Sequence, residues 1–292
     1  MKLFKIDKQY DLSNNNKFSL IFMGDMHVGS PNCDYKLVEE HVEEIRQIPN
    51  AMVFLMGDLA EWIIMGDKRF YPSQIDKRFR SHMEQLPMTY SRYLKDLLLP
   101  IADKIEVVHD GNHEKKLVSS MYPGAELCGN LRAELERTLG PEALTKLRYA
   151  PGEAYTKITW KMGVGDTRTL MINTAHGWQA GRKPGAKHNE LSYMFSWIGA
   201  DIIMRGHSHE LFAVPGPIRE VPNPQMTKLK EIQTITGHTG SYLKTRELEV
   251  DEIDRPCYSE YGGFRPTPLG HVQIDVTLTR RGMKKEIIIK QK

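Results

Sequence analysis

Short, mostly apolar runs recur along the chain, and each ends in a small polar cluster. Five of these runs lie at 18–23, 51–56, 105–108, 170–173 and 201–204. Runs of this length that are bounded by Gly, Asp and Asn are typical of buried strands. The sequence therefore predicts five buried strands, each with polar side chains directly after it.

Helical patterns lie between these runs. Apolar residues spaced three and four apart predict helices at about 35–48, 89–103 and 190–199, and leucines spaced four apart predict another that includes 127–139. Alternation of strands and helices is typical of an α/β protein.

The later part of the chain has a different pattern. Apolar and polar residues alternate at 154–162, 231–237, 270–279 and 284–290, with little helix between them. Such alternation favours antiparallel strands, so we expect these four to form a second, more antiparallel sheet. The predicted fold is two sheets packed face to face with helices outside. We expect one domain, 1–292, with excursions at about 63–103, 115–150 and 177–190.

Composition narrows the class of protein. The 292 residues are 40% hydrophobic and 26% charged, which excludes a disordered or fibrous chain. A net charge of +3 neither demands nor excludes a nucleic-acid partner. The three cysteines are scattered and form no CxxC pair, no apolar leader is visible, and the longest apolar stretch, 97–102, is too short to span a membrane. We therefore expect a cytoplasmic protein with no membrane partner.

The polar clusters hold the candidate chemistry, because ligands bind at the carboxyl ends of strands in α/β sheets. Any one of these side chains is more simply explained as structural, but seven oxygen and nitrogen donors together predict a metal site. The seven predicted ligands are Asp25, His27, Asp58, Asn112, His176, His207 and His209.

Seven donors exceed what one ion needs, so the sequence predicts two divalent ions per chain. Carboxylate, imidazole and amide ligands without a thiolate favour manganese, with iron, zinc, cobalt and nickel as alternatives. Asp58 stands alone after its strand and is the natural bridge between two ions. Such a pair clamps a phosphoryl group and lowers the pKa of a bridging water, whose hydroxide attacks phosphorus. His113, which is not in the ligand set, is predicted to protonate the leaving oxygen.

Five motifs carry a family resemblance: GDMHVG (24–29), GDLAE (57–61), GNHE (111–114), AHG (175–177) and GHSH (206–209). Their order resembles that of the calcineurin-like metallophosphoesterases. The resemblance implies a four-layer αββα sandwich of two mixed sheets, with a two-metal site at the carboxyl ends of the strands. It also implies that Asp25, His27, Asp58 and His209 hold one metal, and that Asp58, Asn112, His176 and His207 hold the other.

The chain departs from the phosphoprotein phosphatases of that superfamily at two places. Those enzymes have Arg-Gly after the second motif and Arg before GNHE. Here the second motif continues Glu61-Trp62, and Asp110 precedes Gly111. A phosphomonoester carries about two negative charges, so the loss of both arginines counts against a protein phosphatase. Glu61 occupies the second acidic position and is expected to orient His113 in catalysis. On that reading, Glu61→Gln lowers turnover without loss of metal.

The sequence therefore predicts a phosphoesterase that hydrolyses phosphodiesters, with DNA, RNA and nucleotides as candidate substrates. The main alternative is a phosphomonoesterase. A non-catalytic scaffold and a mononuclear hydrolase are less favoured alternatives. The oligomeric state is left open.

Two basic segments could contact a substrate. Arg182, Lys183, Lys187 and His188 follow His176 and are either substrate-binding residues or part of a solvated loop. The basic and aromatic residues of 65–80 either bind single-stranded nucleic acid or, as we prefer, form one face of an amphipathic helix. Asn189 is expected to cap the 190–199 helix, and His238 to lie in a turn rather than to be an eighth donor.

Overall fold

Two six-stranded sheets face each other in the part of the chain that the structure describes. This computed structural model describes residues 1–11, 16–63, 70–115, 127–140, 147–162, 166–178, 183–222, 226–245, 263, 265–280 and 282–292. Sheet I has the strand order β1-β6-β7-β8-β10-β9, and sheet II has the order β12-β11-β2-β3-β4-β5. Each sheet contains parallel and antiparallel pairs, so both are mixed.

The strands have the following bounds. Sheet I contains β1 (Lys2–Gln9), β6 (Ala154–Met162), β7 (Asp166–Ala175), β8 (Ile202–Arg205), β9 (Leu211–Pro222) and β10 (Leu229–Thr239). Sheet II contains β2 (Lys17–Met23), β3 (Ala51–Leu55), β4 (Ile105–His109), β5 (Arg148–Ala150), β11 (Gly270–Thr279) and β12 (Gly282–Gln291).

Helices cover the outer faces of the sheets. They are α1 (Tyr35–Gln47), α2 (Leu86–Leu98), α3 (Leu127–Leu139) and α4 (Pro184–Met194), with short 3-10 helices at Pro72–Gln74, Arg80–Gln85 and Leu99–Lys104. Apolar residues of α1, α2 and α3 form one core with sheet II, and those of α4 form another with sheet I. A third core fills the space between the sheets, where Phe22 stacks on Phe54 with ring centroids 5.0 Å apart. The layers are therefore helix, sheet, sheet, helix, which confirms the predicted α/β sandwich.

The allocation of strands to sheets differs from the expectation. The predicted strands at 170–173 and 201–204 lie in sheet I, whereas 270–279 and 284–290 extend sheet II. Alternation tells which face of a strand is buried but not which strand it pairs with, so the sequence could not assign these partners. Strand β9 was not predicted because it contains three prolines. It lies at the edge of sheet I in the described chain, where a missing N–H is tolerated.

Two predicted helices have different bounds. Helix α2 begins at Leu86 and ends at Leu98, and the chain continues as a 3-10 helix that contains Pro100. Helix α4 begins at Pro184, whose fixed φ suits the first helical position, so Asn189 lies inside the helix and does not cap it. No helix in the described ranges is both long enough and apolar enough to cross a membrane.

Candidate metal centre

The loops after β2 and β3 remain side by side beyond the strands. Asp25 N donates to Gly57 O at 2.9 Å, and His27 N donates to Asp58 O at 3.1 Å. Parallel pairing of β2 with β3 delivers both loops to the same edge of sheet II. The carboxyl ends of β7 and β8 are joined similarly, since Gly206 N donates to Ala175 O at 3.4 Å. These backbone hydrogen bonds hold the loops that contain the predicted ligands side by side at the ends of the strands.

The backbone of this region adopts unusual conformations. Seven non-glycine residues of the described chain have φ in the left-handed region, and five of these are predicted ligands. They are Asp25 (48°), His27 (51°), Asp58 (47°), His207 (66°) and His209 (55°). Such conformations are costly for residues with a Cβ and tend to cluster at functional sites. The residues with strained backbone conformations are therefore mostly the predicted metal ligands.

One set of donors, the Asp25 group, consists of Asp25, His27 and His209. One ligand atom from each lies within 4.8 Å of the others. His27 Nε2 is 3.2 Å from His209 Nε2, which is 3.3 Å from Asp25 Oδ1. Asp25 Oδ1 is buried and has no hydrogen bond to any residue that the structure describes. A buried carboxylate oxygen without a hydrogen bond, facing two imidazole nitrogens, is an arrangement suited to a cation.

A second set, the Asp58 group, consists of Asp58, His176 and His207 and meets the same 4.8 Å limit. His176 Nε2 is 3.3 Å from Asp58 Oδ2 and 3.1 Å from Asn112 Oδ1. The Nδ1 atom of His176 donates to Met56 O at 2.8 Å, which turns Nε2 towards the group. All seven predicted ligands therefore lie in these two groups or in contact with them.

Glu61 contacts two histidines in different ways. Its carboxylate oxygen Oε2 is 2.8 Å from His27 Nδ1, which leaves His27 Nε2 facing the Asp25 group. Its backbone carbonyl accepts a hydrogen bond of 2.6 Å from His113 Nδ1, whereas the carboxylate is 3.6 Å from that nitrogen. The sequence suggested that the Glu61 side chain orients His113. The closer carboxylate contact is to His27, and it is the Glu61 carbonyl that holds His113.

The carboxylates control the charge of the buried imidazoles. Burial alone would lower the pKa of His27, but the Glu61 carboxylate raises it to about 9. Burial also opposes charge on His176, yet Asp58 and Asp25 raise its pKa to about 10. Burial would raise the pKa of Asp58, but the facing His176 holds it well below its usual range. The groups therefore form a strongly negative field that favours cations.

Glu114 is a residue that the sequence reasoning missed. It is fully buried at 0% exposure, and its carboxylate accepts from the backbone N–H groups of Gly111, Asp58 and Leu59 at 2.8, 3.1 and 2.9 Å. It also accepts from Trp62 Nε1 at 3.0 Å. The hydrogen bond from Gly111 N to the Glu114 carboxylate joins residues three apart, as in half of a helix capping box. A Glu three residues after the start of a helix is therefore the sequence pattern that could have predicted the role of Glu114. Glu114 thus fixes the GNHE turn against the loop that carries Asp58.

The same two loops touch so closely that glycine is required. A Cβ at Gly111 would lie 2.0 Å from Asp58 Oδ1, and one at Gly57, where φ is +88°, would lie 2.5 Å from Gly111 N. Within this contact, His113 N donates to Asp58 Oδ1 at 2.8 Å. The Gly residues of two motifs therefore set the distance between Asp58 and His113.

The predicted substrate-binding residues differ in their burial and contacts. Lys187 is only 7% exposed, and its Nζ lies 3.2 Å from both Glu210 Oε1 and Ser208 O, so it stabilises the loop that carries His207 and His209 instead of facing solvent. Lys183 is exposed immediately before α4. The His188 ring packs edge-on against Phe212 with centroids 5.8 Å apart. Arg182 lies outside the described residues.

Two other expectations are corrected by the structure. His238 is not in a turn: it lies on β10 at 0% exposure, and its Nδ1 donates to Gly206 O at 3.3 Å. In the 65–80 segment, Phe79 is buried and Arg78 lies over the Tyr35 ring at 3.9 Å. That stretch forms 3-10 turns and not an amphipathic α-helix in its described part, from 70 onwards, whereas Lys68 and Arg69 lie outside the described residues.

No family model matches the chain, and no curated protein matches it. Among solved structures, it is similar to a predicted phosphoesterase from Streptococcus pneumoniae (13% identity, 93% of this chain and 98% of that one, TM-score 0.34). It is also similar to zinc-complexed Vps29 from Entamoeba histolytica (13%, 93% and 99%, TM-score 0.31). A third is a metallophosphoesterase from Sphaerobacter thermophilus (11%, 94% and 90%, TM-score 0.34). At TM-scores this low, these similarities add nothing to the geometry above. The chain is a two-sheet α/β sandwich whose ordered motifs resemble those of the calcineurin-like metallophosphoesterases.

Proposed function

We propose that the chain is a phosphoesterase that depends on two divalent metal ions and hydrolyses phosphodiesters. The observation that carries the proposal is that the Asp25 group and the Asp58 group adjoin at one edge of the sandwich, where His207 N donates to Asp25 Oδ2 at 3.1 Å. The donors come from five separate strand ends, and the five φ values of the ligands are ones that L-residues rarely adopt. A purely structural cluster has no need for this strain.

The side chains fit such a metal pair. Asp25 Oδ1 is buried without a hydrogen bond among the described residues, and hydrogen bonds at Nδ1 of His27 and His176 turn both Nε2 atoms towards other proposed ligands. Asp25, His27, Asp58 and His209 would hold one ion, and Asp58, Asn112, His176 and His207 the other. When bound, two such ions supply charge neutralisation at the phosphoryl oxygens and lower the pKa of a water at the site. The oxygen and nitrogen donors favour manganese, with iron, zinc, cobalt and nickel as alternatives.

His113 supplies the proton. Its Nδ1 is engaged by the Glu61 carbonyl, so Nε2 is the nitrogen that remains for a substrate. Its ring lies 4.9 Å from that of His27, edge-on, which places it beside the Asp25 group. In its protonated form His113 donates the Nε2 proton to the leaving oxygen, so that the alcohol departs uncharged.

The charges near the site favour a diester over a monoester. Lys187, one of the cations that the sequence offered for substrate binding, is committed to Glu210. Trp62 and Asp110 occupy the positions where a phosphatase of the resembling family has arginines. A diester carries one negative charge where a monoester carries about two, so it needs less compensation from the protein.

The test compares bis(p-nitrophenyl) phosphate with p-nitrophenyl phosphate, using protein reconstituted with each candidate metal. We expect two metal ions per chain by elemental analysis and faster hydrolysis of the diester. His113→Ala should keep both ions and lose turnover. Preference for the monoester would assign a phosphatase instead. Two bound ions with no hydrolysis of either ester would indicate a metal-binding scaffold.

A further inference from the structure

Trp178 is an exposed aromatic residue at the candidate centre. Its indole lies nearly parallel to the His207 ring, with an interplanar angle of 7° and centroids 5.6 Å apart. The side chain is nevertheless 68% exposed. One face of the indole therefore covers a proposed metal ligand, and much of the remainder is open to solvent.

The other three tryptophans show that this placement is unusual. Trp62 and Trp160 are buried in the cores. Trp197 is exposed, but its contact is an edge-on one with Tyr193, 5.0 Å away, on the α4 side of sheet I. Trp178 differs from all three because it is both exposed and stacked on a residue of the Asp58 group. A mostly exposed indole contributes little to the stability of the fold. Ligand binding is therefore the better explanation for the placement of Trp178.

We propose that Trp178 is a stacking platform for a nucleobase, and that the substrate is a nucleotide ester whose phosphate lies at the neighbouring Asp58 group. This inference rests on the proposed phosphoesterase function and adds the substrate class to it. Every nucleobase has an aromatic face, so a single indole accepts different bases without reading their hydrogen-bonding edges. The expected selectivity is for the presence of a base, not for its identity.

Binding is tested first by indole fluorescence with the zinc-loaded full-length chain. Adenosine 5′-monophosphate should quench the fluorescence of the wild-type chain and of Trp197→Phe, because stacking on Trp178 persists in both. Trp178→Phe should lose the quenching, and ribose 5-phosphate, which has no base, should quench none of the three. Quenching that survives in Trp178→Phe, or that is absent from the wild type, overturns the proposal.

Kinetics separates a platform from a residue that merely positions His207. Trp178→Ala should raise KM for a dinucleotide about tenfold, the typical contribution of one stacked base, with little change in kcat. The KM of a matching substrate with the base removed should stay constant, and Trp178→Phe should restore part of the loss. Equal losses for both substrates, or a fall in kcat alone, would assign a positioning role and reject the platform.

The two experiments also keep this inference separate from the proposed function. A chain that hydrolyses no phosphodiester but shows base-dependent quenching through Trp178 refutes the enzyme and retains the platform. A chain that hydrolyses dinucleotides and their base-free analogues equally well retains the enzyme and refutes the platform.

Discussion

Two buried clusters of histidine lie in the part of the chain that the structure describes, and they differ in the presence of carboxylates. The candidate centre, formed by the Asp25 and Asp58 groups, has histidines that face Asp and Glu. The Tyr242 cluster consists of His41, Tyr242 and His271, whose polar atoms lie 2.9, 3.0 and 3.1 Å apart. No carboxylate lies among these three contacts.

The difference decides the charge of each cluster. In the Tyr242 cluster, burial lowers the pKa of His41 and holds that of His271 well below its usual value. The imidazoles there stay neutral, and the Tyr242 hydroxyl can donate to one ring and accept from the other. In the candidate centre, the carboxylates raise the pKa of His27 and His176 to about 9 and 10. Burial alone therefore makes a histidine cluster structural, and buried carboxylates make it a site for cations.

The largest effect should come from Asp58→Asn. This change removes the charge of the proposed bridging ligand while keeping an oxygen that can accept from His113 N. We expect loss of at least one metal ion and a fall in turnover of about a thousandfold, since the ions contribute several kcal/mol to catalysis. Elemental analysis and diester hydrolysis measure both. Asp103→Asn, an exposed carboxylate away from the motifs, is the matched control. Full metal content and full activity in Asp58→Asn would remove Asp58 from the ligand set.

Glu61→Gln should have the next largest effect. The Glu61 carboxylate bonds His27 Nδ1, and loss of its charge makes His27 a poorer ligand, so metal affinity should fall about 10- to 100-fold. His113 is held by the backbone carbonyl and should be unaffected, so turnover at saturating metal should be nearly normal. Chelator competition and kinetics at high metal concentration measure the two quantities. Unchanged affinity with reduced turnover would restore the expectation from sequence, in which the carboxylate acts on His113.

Tyr242→Phe tests the other side of the comparison. It removes the hydroxyl that joins His41 to His271, and we expect the free energy of unfolding to fall by about 1–2 kcal/mol with no change in metal content or activity. Denaturant unfolding measures the first quantity. Tyr10→Phe is a matched control, because the Tyr10 hydroxyl is buried and has no hydrogen-bond partner within the described ranges, so its loss should cost nothing. A drop in metal content in Tyr242→Phe would show that the two clusters are coupled.

The sequence predicted the candidate centre better than its surroundings, for a physical reason. Asp25 and Asp58 follow strands that pair in parallel in sheet II, and His176 and His207 follow strands that pair in parallel in sheet I, so the donors of each sheet share one edge of that sheet. Their convergence could be predicted without knowing the full strand order. Periodicity also located the four helices, but it misjudged the bounds of two: prolines lie at the start of α2 and α4 and after the end of α2, and α4 ends at Met194, before the predicted 199.

The residues that were misjudged depend on partners far along the chain. Lys187 looked like a free cation, but Glu210 lies 23 positions away and pairs with it only because α4 packs beside the loop after β8. His238 looked like a turn residue because glycine precedes it, yet its strand pairs with β8. Glu61 does lie beside His113, as predicted. The sequence could not show that its backbone carbonyl, and not its carboxylate, accepts the hydrogen bond from His113. Tertiary pairing, not local pattern, fixed these roles.

The smallest effect, on the pH dependence of stability, has opposite signs in the two clusters. For His176, the pKa in the folded state, about 10, exceeds its unfolded value of about 6.5, so its stabilising contribution is complete below pH 6.5 and is lost as the pH rises towards 10. For His271 the folded pKa is lowered, so the contribution is complete above pH 6.5 and is lost as the pH falls.

Melting temperatures of the chelated protein, measured from pH 5 to pH 10, separate the two signs when the wild type is compared with single variants. The advantage of the wild type over His176→Asn should shrink as the pH rises, and its advantage over His271→Asn should shrink as the pH falls. Parallel trends in both variants would contradict the view that carboxylates set the charge of one cluster and burial that of the other. With metal bound the His176 trend should reverse, because a ligating imidazole stays deprotonated in the folded chain and its contribution is then lost as the pH falls.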